Sequence, residues 1–101
     1  MTKFYVEWWL DPARMPVDAE ERVRGWLQIL EMVKADMASG KIRDWGCAPE
    51  GDFGHAIIEA ENGTEVLASL LKYRPYVNFK VALALTVDQV IETVKKMAAQ
   101  K

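Results

Sequence analysis

The chain has 101 residues, half of them apolar, with thirteen Lys and Arg against fifteen Asp and Glu for a formal charge of -2. This fits one folded domain over residues 1–101 and excludes a disordered chain, and the scattered basic residues leave no electrostatic footprint for nucleic acid. Cys47 is the only cysteine, which excludes an intrachain disulfide and a cysteine-built zinc or iron–sulfur site and fits a reducing cytoplasm.

Lys3 to Leu10 alternates, with Phe4, Val6, Trp8 and Leu10 on one face and Tyr5, Glu7 and Trp9 on the other, so a strand with two unlike faces is expected. Glu7 and Asp11 arrive before any long apolar run, and neither a signal peptide nor a membrane span is expected. Pro12 and Pro16 break the strand into a loop. Asp18 followed by Glu21 resembles a capping box, and Val23, Trp26, Leu27, Leu30, Val33 and Met37 recur at helical spacing up to the Ser39-Gly40 stop. Ile29 and Met32 widen that stripe, for core packing or for a subunit contact.

Ile42–Ala48 and Gly54–Ala60 read as strands joined by the turn Pro49-Glu50-Gly51-Asp52-Phe53, hence a hairpin. Asn62 caps a short helix on Val66, Leu67, Leu70 and Leu71, which Pro75 prevents from continuing through Arg74. A last strand follows over Val77–Leu85, and Thr86 with Gln89 opens a C-terminal helix on Val87, Val90, Ile91, Val94 and Met97. The result is an α+β domain, a four-stranded antiparallel sheet backed by helices in the order βαββαβα.

That order resembles the ferredoxin-like fold. The segment Leu71-Lys72-Tyr73-Arg74-Pro75-Tyr76-Val77-Asn78-Phe79-Lys80-Val81 is similar to the helix-to-strand crossing of muconolactone isomerase-type proteins of the dimeric α/β-barrel superfamily. Ile57-Ile58-Glu59-Ala60-Glu61-Asn62 is similar to a segment of small uncharacterised members of the same superfamily. The resemblance implies a homodimer whose two sheets close into a barrel, with a small ligand held between sheet and helices or within the barrel. It carries over no activity by itself. The catalytic set of the isomerases has no full match, and His55 lies on a strand, unlike the helical histidine of the small haem-degrading monooxygenases.

Strand alternation assigns Phe4, Val6, Trp8, Ala56, Ile58, Val77, Phe79, Val81 and Leu83 to the face beneath the helices. The opposite face collects Tyr5, Glu7, Trp9, Arg43, Trp45, Cys47, His55, Ile57, Glu59, Asn78 and Lys80. So many aromatics left open to water would be costly, and a second sheet or a ligand is expected to cover them. His55 is the side chain suited to proton transfer near neutrality, with Glu7 in reach across the neighbouring strand to orient it; an interface ion pair uses the same residues equally well. Tyr5, Trp9, Arg43, Trp45, Cys47, Asn78 and Lys80 are the candidates for holding a ligand, and Trp9 and Trp45 have the flat surfaces an aromatic one would stack on. Asp44 and Asp52 with one histidine fall short of a metal site, and no phosphate loop, nucleotide fingerprint or serine-nucleophile motif points to a cofactor. Three functions remain: binding of a small, largely apolar molecule, a cofactor-independent isomerase or monooxygenase acting through His55, and an assembly module with no ligand.

Overall fold

A computed structural model describes residues 1–100. Its elements are β1 (Thr2–Leu10), α1 (Ala19–Ala38), β2 (Ile42–Cys47), β3 (Phe53–Ala60), α2 (Gly63–Leu71), β4 (Val77–Ala84) and α3 (Val87–Ala99). The strands form one antiparallel-paired sheet in the order β2-β3-β1-β4. Each long crossover, through α1 and through α2, links two strands that are parallel but separated by a third, which is the split βαβ plan of a ferredoxin-like fold.

Helix starts follow the sequence closely. Asp18 accepts from the Glu21 amide at 3.0 Å and Asn62 from the Glu65 amide at 3.1 Å. At α3, Thr86 Oγ1 accepts from the Gln89 amide while Gln89 Oε1 accepts from the Thr86 amide, a reciprocal box satisfying two otherwise orphaned donors. Gly51, at φ 87°, makes the hairpin turn between β2 and β3 in a conformation that a side chain would strain.

The core lies between the sheet and the α1 and α2 layer. Phe4, Val6 and Trp8 of β1 meet Ala56 and Ile58 of β3, Ile42 of β2, Val77 of β4, Ile29 and Val33 of α1, and Val66 and Leu70 of α2. Among them is a cavity of about 30 Å³ lined by Trp8, Trp26, Trp45, Tyr73 and Phe79 with aliphatic neighbours, room for about one water and far below the size of a ligand site.

Three expectations need correction. First, α1 is rotated from its expected stripe: the buried line is Ile29, Val33 and Asp36 flanked by Trp26 and Met32, while Val23, Leu27 and Met37 are exposed. The apolar stripe is wider than one sheet face can cover, and the contact of Trp26 with Trp8, ring centroids 5.9 Å apart, goes with the observed rotation. Second, Val81 and Leu83 have the parity of the helix-side face but lie in the open, 41% and 59% exposed, because α1 and α2 do not extend over that half of β4. Third, Trp45 and Cys47 belong to the helix-side face. The register of β2 on β3 shifts between Ile42 and Asp44, so that Trp45 stands opposite Ala56 and Cys47 opposite Gly54. A bulge inserts one residue, and every side chain beyond it changes face.

Candidate functional site

The open face of the sheet is built by the outward residues of β1 and β3. Glu7 of central β1 stands opposite His55 on one side and Lys80 on the other. Tyr5 and His55, set diagonally on the two strands, stack with rings nearly parallel at 8° and centroids 6.4 Å apart. Space for the imidazole is made by the neighbouring strand: a Cβ on Gly46, opposite His55, would lie 2.5 Å from the ring. Gly54 does the same on the other side, where Trp8 crosses it and donates from Nε1 to the Gly46 carbonyl at 3.2 Å.

His55 Nε2 lies 3.4 Å from Asp44 Oδ2. The carboxylate beside the imidazole is therefore Asp44, placed on this face by the β2 bulge, while Glu7 is adjacent in register without an ion pair to His55 or Lys80 among the described residues. Arg43, the extra residue of the bulge, is on the open face too and reaches Glu59 at 3.8 Å. Asn78 accepts from Arg74 Nη1 at 2.8 Å, and Lys80 is exposed.

A groove of about 520 Å³ runs along the hairpin end of this face, lined by Tyr5, Glu7, Trp9, Phe53, His55 and Cys47 among others. Five of the nine candidate residues thus come together, and Arg43, Asn78 and Lys80 lie outside the groove. Trp45 has left the face altogether, stacked on Trp8 at 5.3 Å and 8° in the core. Cys47, of helix-side parity but at the last position of β2 where the groove wraps the hairpin end, is a free, exposed thiol at the groove margin. Among the described residues no cluster of three or more metal-ligating side chains forms, and no helix is long and apolar enough to cross a membrane.

A second polar constellation was not anticipated. Asp36, buried at 5% exposure in α1, accepts from Lys72 Nζ at 2.6 Å and from the Tyr73 hydroxyl at 2.7 Å. Burial, then the hydrogen bond and negative charge of Asp36, push the Tyr73 phenol well above the usual tyrosine range. All of its buried polar side-chain atoms are paired, so the cluster reads as a pin between α1 and the end of α2. The signal was an aspartate seven residues after Ile29 and three after Val33, on the buried line of the helix.

A search of the curated proteins returns no match. The sequence profile of the domain of unknown function DUF3303 matches residues 2–98, from the first strand to the end of the last helix. The chain belongs to the DUF3303 family.

Proposed function

We propose that this domain binds a small, largely apolar molecule in the open-face groove, between two copies of the chain. The observation that carries this reading is the groove itself, about 520 Å³ walled by Tyr5, Trp9 and Phe53, with His55 and Glu7 as its polar points. Few polar groups among aromatic walls is the usual make-up of a small-molecule site, and its volume lies within the usual range. Tyr5 and Trp9 stay 39% and 41% exposed in one subunit, so a second sheet laid over them would enclose the groove and remove that surface from water. Binding of the fluorescent probe 1-anilinonaphthalene-8-sulfonate tests this: the parent should bind at a saturable site, and Trp9→Ala should weaken binding about tenfold or more. Absence of saturable binding, or equal binding by Trp9→Ala and Tyr5→Ala, would sink the reading.

The contact of His55 with Asp44 favours a second reading, a cofactor-independent isomerase or monooxygenase. There His55 exchanges a proton with a substrate in the groove, Asp44 holds the imidazole, and Glu7 stands as a second acceptor. A screen of enolisable and phenolic compounds with parent and His55→Ala separates the two readings. Turnover lost in His55→Ala with probe binding retained would establish the enzyme.

A further inference from the structure

Helix α3 stands away from the rest of its own subunit. Only Leu85 and Thr86 separate it from β4, no other element approaches it, all of its residues are exposed, and the molecule is drawn out to 62 Å along one axis against 25 and 22 Å on the others. Yet its sequence is that of a packed helix: Val87, Val90, Ile91 and Val94 and Met97 recur at 3.6-residue spacing, and all five are exposed. A solitary helix of 13 residues is marginal in water whatever its caps.

We propose that α3 is an exchanged arm, whose apolar stripe seats on the helix-side surface of a second copy of this chain. The occupant follows from what the fold leaves open. Val81 and Leu83 are on the same sheet face as the buried core, register partners of Val6 and Phe4, but no helix of their own subunit covers them. On the same layer Leu67 and Leu71 of α2 are exposed. One copy thus offers an apolar helix without a floor and an apolar floor without a helix, the self-complementary pair that a two-fold interface requires. Two arms seated reciprocally would remove on the order of 1,500–2,000 Å² from water, the size of a stable protein interface. This rests on the dimer of the reading above and gives it a second surface, distinct from the groove.

Sedimentation velocity of the full chain tests it with one variant on the arm, Ile91→Glu, and one on the seat, Leu83→Glu. Neither residue is in the core, so emission from Trp8, Trp26 and Trp45 should stay native and report an intact subunit. The parent should sediment as a dimer of the 11.5 kDa chain, and each variant alone should raise the dissociation constant about 100-fold or more, because either puts an unpaired charge into the seat. Loss through Ile91→Glu alone would mean that arms pair with each other, and would overturn the seat. A monomeric parent, or dimers unchanged in both variants, would overturn the exchange. Probe binding by the parent and by Trp9→Ala, at a concentration where the parent is dimeric, reports the groove, while sedimentation of the Ile91→Glu and Leu83→Glu variants reports the arm, so failure of one is told from failure of the other.

Discussion

Trp8 is held on three sides, by Trp45 stacked at 5.3 Å, by Trp26 tilted at 5.9 Å and by Gly54 beneath it, and its indole nitrogen donates to Gly46. It is 3% exposed, whereas its neighbour Trp9 is 41% exposed. Trp8→Ala should therefore cost roughly 3–5 kcal/mol in urea unfolding, since the surrounding aromatics cannot collapse into so large a space, and Trp9→Ala far less. The reverse order would mean that the two faces of β1 are exchanged. Tyr73 gives a pH-dependent counterpart. Its phenol holds the proton more tightly when folded than when unfolded. Below the unfolded value, about 10, both states keep the proton; above it only the folded state does, so this stabilisation is present below pH 10 and is lost as pH rises past it. Tyr73→Phe should flatten the loss, as compared by urea unfolding near pH 9 and near pH 11.

At the level of elements, alternation and capping made most of the fold readable, because the residues that carry them act locally. Asp18, Asn62 and Thr86 each sit at the helix start their spacing indicates, and the faces of β1 follow from period two alone. What was not readable depends on contacts distant in sequence. The bulge at Arg43 has no composition of its own, yet it moves Trp45 and Cys47 off the open face and brings Asp44 to His55. The rotation of α1 involves Trp26 meeting Trp8, eighteen positions away, and Asp36 finds its partners only when α2 ends beside it. The bulge can be tested by removing its extra residue. Deleting Arg43 removes the extra residue while leaving Ile42 opposite Ile58 and Trp45 opposite Ala56 in regular alternation, so Trp45 should keep its stack on Trp8 and acrylamide quenching of the tryptophans should be unchanged. Quenching of one further tryptophan would mean that β2 re-pairs in another register and that Arg43 is not the extra residue of the bulge. For the polar pair, Asp44→Asn should move the His55 ring resonances more than Glu7→Gln does at fixed pH, since Asp44 is the carboxylate in contact.

Taken whole, the molecule divides into a packed body and an unpacked periphery, and the two should differ in how they respond to concentration. The body of β1, β3, α1 and α2 encloses its own core, while α3, the outer half of β4 and the open sheet face carry large apolar side chains with nothing from the same subunit over them. For a lone subunit, the amides of α3 should exchange with solvent almost as freely as those of an isolated peptide, and its helix content should contribute little at high dilution. For an associated pair, burial stabilises the folded state by mass action, so the Tm should rise by roughly 3–5 °C for each tenfold increase in protein concentration. Hydrogen exchange read residue by residue then locates where association acts. Protection of the Val90 to Met97 amides that grows with concentration, alongside protection in β1 and β3 that does not, would place it on the arm. A Tm flat over a roughly hundredfold range, with α3 unprotected throughout, would mean that the periphery stays open and that the groove has to bind its ligand without a second copy to close it.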